Sequence, residues 1–191
     1  LGGRIEPGKG VNFPNSTLDL PSLTTQDIED LELALKKGAD LIALSFVRNH
    51  KDIRSIKKIM KKNKTFLPII AKIEKWEALN DIENIIDEFD GVMVARGDLG
   101  VEIPSAKVPA AQKKITKLAN KHGKPVIIAT QMLESMITNQ VPTRAEVSDI
   151  ANSIFDSVDA LMVTGETAIG NYPIEVIKTL NDSVILYQGS I

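Results

Sequence analysis

Five short apolar segments of the sequence each end in a cluster of polar residues. These clusters contain the candidate catalytic and binding residues. In chain order the clusters are residues 45–48, 72–74, 96–98, 130–131 and 164–166. In α/β proteins with parallel strands, catalytic groups collect where strands end, because the carboxyl ends of neighbouring strands meet at one edge of the sheet. The sequence therefore predicts that residues far apart in the chain share one site.

Two acidic residues in these clusters, Glu74 and Asp98, are candidate metal ligands. They follow consecutive apolar segments, so their carboxylates are expected on neighbouring strand ends. Magnesium prefers oxygen ligands at about 2.1 Å and often takes only one or two carboxylates, which leaves positions for water and substrate. Lys72 and Glu74 are two apart, so both side chains should point to the same face of the sheet. An ordinary salt bridge at the rim explains the Lys72–Glu74 spacing equally well.

The turn Gly97-Asp98-Leu99-Gly100 is a candidate anion-binding segment. Glycine lets backbone N–H groups approach an anion closely, and a helix that begins there would add its positive end. A plain turn without any ligand is the alternative, and the spacing alone does not exclude it.

Strands and helices that alternate along the chain must position these residues. Apolar runs without polar alternation are typical of strands buried on both faces, and they occur at residues 41–46, 68–73, 91–95, 125–129 and 160–163. Apolar residues spaced three and four apart predict helices between the strands, a first helix from Thr24 to Gly38, and a last one after Pro173. This alternation predicts an α/β fold with parallel strands. Both an open doubly wound sheet and part of an eight-stranded barrel fit the pattern.

The composition excludes several classes of function. The 191 residues are 43% hydrophobic and 25% charged, as in a globular domain with a buried core. A net charge of -2 gives no general attraction to nucleic acid or to an acidic membrane surface, and no apolar run is long enough to span a bilayer. The absence of cysteine removes disulfides and thiolate chemistry. We therefore expect a cytoplasmic protein that binds neither nucleic acid nor membranes.

Several stretches of the sequence resemble the pyruvate kinase family, in the order in which that family has them. They read KGVN at residues 9–12, KIE at 72–74, MVARGDLGVEIP at 93–104, ATQMLESM at 129–136, PTRAE at 142–146 and TGETA at 164–168. The resemblance implies a TIM-type (β/α)8 barrel, present only in part as strands four to eight with their helices. Residues 1–19 would return from an inserted lid domain, and residues 20–191 would form the second half of the barrel. The first three strands, most of the lid and the C-terminal domain would be absent.

The resemblance also implies an activity, namely phosphoryl transfer from phosphoenolpyruvate to ADP, which gives pyruvate and ATP in glycolysis. In that family the acidic pair Glu74 and Asp98 would bind Mg²⁺ or Mn²⁺. Lys72 would neutralise the transferring phosphoryl group and the enolate, as expected when catalysis is mainly positioning and charge stabilisation. Thr130 would lie over the enolate near the route of its proton. The catalytic residues implied are Lys72, Thr130, Thr164 and Glu166.

Further contacts with substrates are implied by the same resemblance. The backbone from Ala95 to Asp98 would receive the substrate carboxylate, and Lys9 would approach the nucleotide phosphates. The substrate-binding residues implied are Ser45, Phe46, Lys72, Ala95, Arg96, Gly97, Asp98 and Thr130. Two positions depart from the family pattern: Lys75 stands where Asn is common, and Thr164 stands where Ser is usual but keeps the hydroxyl group.

The resemblance also bears on properties that involve parts of the family's proteins not represented in this sequence. K⁺ is a further candidate ion, but the family's potassium ligands lie on early strands that this sequence lacks. Full-length members usually form homotetramers. Because five strands cannot close a barrel and leave two open edges, we expect negligible kinase activity from these residues alone. A metal-dependent lyase or aldolase acting on pyruvate enolate is the alternative function, since such barrels use a similar Glu/Asp pair.

Overall fold

The described part of the chain, residues 21–189 of a computed structural model, is built on five parallel strands. The strands are β1 (Ile42–Leu44), β2 (Ile69–Ile73), β3 (Gly91–Ala95), β4 (Val126–Ala129) and β5 (Ala160–Met162). They pair in chain order from β1 to β5. Each predicted apolar run is therefore a strand. A doubly wound sheet has a point where the strand order reverses, and the described strands have none, as in a barrel.

Helices precede the first strand, connect the strands and follow the last one. They are α1 (Thr25–Lys37), α2 (Ile53–Lys62), α3 (Trp76–Asn80), α4 (Ile82–Glu88), α5 (Arg96–Glu102), α6 (Val108–Lys121), α7 (Arg144–Phe155), α8 (Gly165–Ala168) and α9 (Pro173–Gln188). The apolar spacing predicts six of these helices and misses the short α3, α5 and α8. Both α5 and α8 begin close to the end of a strand, so they form part of the edge at which the polar clusters lie.

The two ends of α1 are determined by local sequence signals. Thr24 accepts a hydrogen bond from the Asp27 N–H, and Asp27 accepts one from the Thr24 N–H, which is a capping box. Gly38 ends the helix at φ +79°, a left-handed conformation that glycine adopts without steric strain. Both predicted boundaries of this helix are confirmed.

Apolar side chains cover both faces of the sheet. On the outer face, strand residues such as Ala71 and Val94 pack against helix residues such as Ile56 and Ile115 in the main core. On the inner face, a small cluster contains Ile70, Met93 and Ala129, with Ile127 and Met162 against it. Lys72 pairs in register with Met93, so it belongs to the inner face. The sheet therefore aims Lys72 towards the inside of the barrel.

Aspartates that precede strands fasten the amino-terminal edge of the sheet. Asp90 accepts a hydrogen bond of 2.8 Å from the Ile69 N–H, and Asp159 accepts one of 2.8 Å from the Val126 N–H. These carboxylates stabilise the edge opposite to the predicted site. Within residues 21–189, no helix has the length and apolar character needed to cross a membrane.

Candidate active site

At the carboxyl edge of the sheet, polar contacts bridge each pair of neighbouring strands. The polar clusters predicted from the sequence supply most of these contacts. Lys9 is a predicted nucleotide contact that lies outside the described residues. The predicted residues that the structure describes all lie along this edge, grouped by the strand ends that they join.

The first group joins the ends of β1 and β2 through Lys72. Its ammonium nitrogen lies 2.7 Å from Glu74 Oε1 and 3.0 Å from Ser45 Oγ. Glu74 Oε2 accepts a hydrogen bond of 2.7 Å from the Phe46 N–H. Phe46 has a left-handed backbone at φ +55°, and Glu74 is only 1% exposed. The predicted common face of Lys72 and Glu74 is confirmed, and the two side chains form an ion pair.

The second group concerns the carboxylate pair. Asp98 lies in the first turn of α5, directly beyond β3, and it is partly exposed. Because β2 and β3 are parallel neighbours, Glu74 and Asp98 lie at the same edge. No group of three or more His, Cys, Asp or Glu side chains suited to a metal occurs within residues 21–189. A pair of carboxylates is nevertheless enough for magnesium, which usually keeps several waters. The two carboxylates are therefore donors of the kind that a hard divalent cation takes.

The third group joins β3 and β4 through Thr130. The Gly97 N–H donates a 2.9 Å hydrogen bond to Thr130 Oγ1. A Cβ atom at position 97 would lie 3.3 Å from that oxygen, so the absence of a side chain permits the close approach. Since the hydroxyl accepts this bond, its own hydrogen remains to be donated. The Gly97 N–H, which belongs to the backbone segment predicted to receive a substrate carboxylate, is thus bonded to Thr130 in this structure.

The Arg96 side chain extends in another direction from this backbone segment. It is 8% exposed, and its guanidinium group binds the backbone carbonyl groups of Thr130 and Gln131. It also forms an ion pair with Asp149 on α7. Ala95, the last residue of β3, is buried. The sequence predicts a role only for the Arg96 backbone, and it contains no signal for the contacts of this side chain.

The fourth group joins β4 and β5 through Glu166, which is fully buried. Glu166 Oε1 accepts a hydrogen bond of 3.1 Å from the Leu133 N–H, and Oε2 accepts one of 2.8 Å from the Thr164 N–H. Thr164 itself is exposed at the edge. The carboxylate of Glu166 thus fastens the segment after β4 to the end of β5.

A buried ion pair between the segments after β2 and β3 is a further feature that the sequence analysis missed. Lys75 Nζ lies 2.6 Å from Glu102 Oε1, and the Glu102 side chain is only 2% exposed. Glu102 Oε2 has no hydrogen-bond partner within the described part of the chain. The pair ties the residue after Glu74 to the last residue of α5. The only signal in the sequence was that Lys75 departs from the family pattern.

A hydrogen-bonded carboxylate also organises the segment that leads into α7. Glu146 accepts hydrogen bonds from the Ser135 and Thr143 backbone and hydroxyl groups. Burial disfavours its ionised form, but these hydrogen bonds outweigh burial and hold the pKa of Glu146 below its ordinary value of 4.5.

An open cleft of about 840 Å³ lies beside the site. Residues of α1, β1 and the segments that flank them line most of it, and it reaches Ser45, Phe46 and Lys75. Lys72, Glu74 and Asp98 are not part of its lining. The chemistry that the polar edge supports therefore rests on the side-chain contacts there, rather than on this cleft.

Comparison with known proteins identifies the family to which this chain belongs. The model of the family described as pyruvate kinase, barrel domain, matches residues 1–177. The chain belongs to the pyruvate kinase family. The five parallel strands of residues 21–189, paired in sequential order, are accordingly part of that family's (β/α) barrel, and the predicted fold class is confirmed.

Curated relatives support the same assignment. The chain is 48% identical over 180 residues to a pyruvate kinase of Mycobacterium tuberculosis, covering 94% of this chain and 38% of the relative. It is 52% identical over 180 residues to pyruvate kinase 2 of Synechocystis, covering 94% and 30%. It is 50% identical over 181 residues to a pyruvate kinase of Methanocaldococcus jannaschii, covering 95% and 40%. The chain thus spans less than half the length of these relatives, and none of them supports the lyase or aldolase alternative.

Proposed function

We propose that the protein containing this chain is a pyruvate kinase, which transfers a phosphoryl group from phosphoenolpyruvate to ADP. The observation that carries the proposal is the Lys72–Glu74 ion pair at the end of β2, on the edge that also carries Asp98. Membership in the family makes the reaction specific, since the same edge chemistry alone would serve several enolate reactions.

In this proposal Glu74 and Asp98 hold a divalent cation, Mg²⁺ or Mn²⁺. The ion supplies charge neutralisation for the substrate carboxylate and the enolate oxygen when it is bound. The electrostatic balance supports such an ion, because the Lys72 ammonium and the Glu74 carboxylate cancel each other's charge. A trianionic substrate beside this pair needs further positive charge. K⁺ would act through residues outside this chain.

Lys72 stabilises the negative charge that develops during transfer. As the bond between phosphorus and the substrate oxygen breaks, that oxygen becomes an enolate, and the phosphoryl group passes to ADP. The ammonium group of Lys72 is held by Ser45 and Glu74, so it requires little reorganisation when the charge appears. Ser45 and Phe46 line the pocket next to it.

Protonation of the enolate carbon then gives pyruvate. Thr130 lies over the enolate face, and its hydroxyl hydrogen is available because Oγ1 accepts the Gly97 N–H. The backbone from Ala95 to Asp98 receives the substrate carboxylate. Thr164 and Glu166 contribute to the proton route from the end of β5. Lys9 approaches the nucleotide phosphates.

The remaining parts of the proposal concern the complete protein. It acts as a homotetramer in the cytoplasm, by analogy with full-length family members. Residues 1–191 alone have negligible kinase activity, because the five strands within residues 21–189 leave two edges of the sheet open.

An assay of pyruvate release tests the proposal. The complete protein, given phosphoenolpyruvate, ADP and Mg²⁺, should form pyruvate and ATP in equal amounts, and omission of the divalent cation should abolish both products. A matched reaction without ADP controls for phosphatase activity. A pure, folded protein that forms no pyruvate under these conditions would contradict the proposed function.

A further inference from the structure

Two consecutive residues after β4 have a backbone conformation that non-glycine residues rarely adopt. Thr130 has φ +68° and Gln131 has φ +54°. A left-handed conformation is unfavourable for a residue with a side chain and persists only where the surrounding structure holds it in place. Something in the molecule must therefore stabilise this turn, which carries the Thr130 hydroxyl.

The Arg96 side chain makes the contacts that stabilise the turn. Its Nε and Nη2 atoms lie 3.2 and 2.9 Å from the Thr130 carbonyl oxygen, and Nη2 lies 2.7 Å from the Gln131 carbonyl oxygen. Nη2 also lies 2.9 Å from Met132 Sδ. Nη1 faces the Asp149 carboxylate, so both sides of the planar guanidinium group are occupied. A single buried side chain thus binds the carbonyl groups of both strained residues.

The next residue on α5 holds the other end of Thr130. The Gly97 N–H donates to Thr130 Oγ1 at 2.9 Å, while Arg96 binds the Thr130 carbonyl group. Consecutive residues of one short helix therefore fix both the backbone and the hydroxyl of Thr130. The same helix carries Asp98, so the turn and the proposed metal ligand share one support.

We propose that the Arg96 side chain is a positioning residue, which holds the turn at Thr130 and Gln131 so that the Thr130 hydroxyl faces the substrate. This inference rests on the proposed function. The alternative is a merely structural role, in which Arg96 only joins α5 to Asp149 on α7. In that case, substitutions of Asp149 and of Arg96 should lower kcat equally.

Two variants of the complete protein separate these roles. Lysine at position 96 keeps the charge but loses the fork that spans both carbonyl groups. We expect Arg96→Lys to lower kcat by about 100-fold, as displacement of a reacting group by about 1 Å does. Asp149→Asn keeps the Arg96 contacts with the turn, and its kcat should stay close to that of the unsubstituted protein. Equal losses in both variants would overturn the proposal.

Two substitutions of Gln131 that differ in backbone strain test the same proposal. Glycine adopts left-handed φ values without penalty, whereas alanine does not. In the Arg96→Lys background, adding Gln131→Gly should restore part of the lost kcat, and adding Gln131→Ala should not. Equal kcat values for the two double variants would contradict the positioning role. Melting temperatures show whether any kcat change follows global stability.

A third pair keeps the test decisive if Arg96→Lys fails to fold. With Arg96 intact, Gln131→Val adds β-branched strain to the turn and should lower kcat, while Gln131→Gly should not. Full kcat in Gln131→Val would overturn the proposal. An unsubstituted protein without pyruvate formation contradicts the proposed function instead, so the two failures are distinguishable.

Discussion

Lys72 and Glu74, two residues apart at the end of β2, form an ion pair with 2.7 Å between the ammonium nitrogen and Oε1. Glu74 is almost completely buried, whereas about a quarter of the Lys72 side chain is exposed. The carboxylate is thus anchored by the sheet, and the ammonium group faces the open side of the edge. The difference in exposure is consistent with the two proposed roles, in which Glu74 binds the metal ion and Lys72 contacts the substrate.

Lys72→Met should reduce kcat of the complete protein by about 100-fold or more, because one preorganised charge at the developing anion is lost. Mn²⁺ binding, measured by electron paramagnetic resonance, should persist, since Glu74 and Asp98 remain. Lys72→Arg is the matched control, which keeps the positive charge but changes the shape of the charged group. Its kcat should lie between that of Lys72→Met and that of the unsubstituted protein. Loss of Mn²⁺ affinity with normal turnover would contradict the role assigned to Lys72.

Lys75→Met should destabilise the fold by about 3–5 kcal/mol, because Glu102 would be left as an unpaired buried carboxylate. Lys113→Met is a matched control, since Lys113 pairs with Asp156 at a side-chain exposure of 55%. Breaking such an exposed pair should change the free energy of unfolding by about 1 kcal/mol at most. Urea unfolding of both variants measures the difference, and similar values would refute the idea that burial makes the Lys75 pair important.

Glu166→Gln should destabilise the protein by about 1–3 kcal/mol, because its amide group presents N–H donors to a site that needs two acceptors. One of the two N–H groups, of Leu133 or of Thr164, would lose its partner. Glu134→Gln is the control, since Glu134 is exposed in the same region. Thermal unfolding gives the comparison. A Glu166→Gln protein as stable as the control would argue against an anchoring role.

Glu146 predicts a pH dependence with a definite sign. Its pKa is lowered in the folded state, so its stabilising contribution is complete above the ordinary value of 4.5 and is lost as pH falls through the lower folded value. The difference in melting temperature between the unsubstituted protein and Glu146→Gln should therefore be largest near neutral pH and shrink below pH 4.5. A difference that grows with acidity would show that the sign is wrong.

Local patterns account for the parts of the fold that the sequence predicts well. The strands and six of the helices can be predicted because their apolar residues follow a recognisable run or spacing. The helices α3 and α8 contain five and four residues, too few for a periodic pattern. The helix α5 has seven residues, but its large apolar residues are only Leu99 and Val101, which are two apart rather than three or four. The left-handed residues Phe46, Thr130 and Gln131 are not glycines, so their conformation has no marker in the sequence.

Some features of the candidate site can likewise be predicted from the sequence, and others cannot. Placement of Lys72, Glu74, Asp98, Thr130 and Glu166 at one edge follows from strand ends alone. The partners that hold these residues do not, because they depend on side-chain directions between distant elements. Lys75 and Glu102 are 27 residues apart, and Arg96 and Asp149 are 53 apart. Only the packed structure brings such pairs together.

The central claim is that Glu74 and Asp98 together hold one divalent cation next to Lys72. A crystal structure of the complete protein grown with Mn²⁺ tests it most directly, because anomalous scattering locates the ion independently of the protein coordinates. One peak is expected, bound directly by a carboxylate oxygen of Glu74 and by one of Asp98. A peak bound by only one of these residues, or by neither, would contradict it.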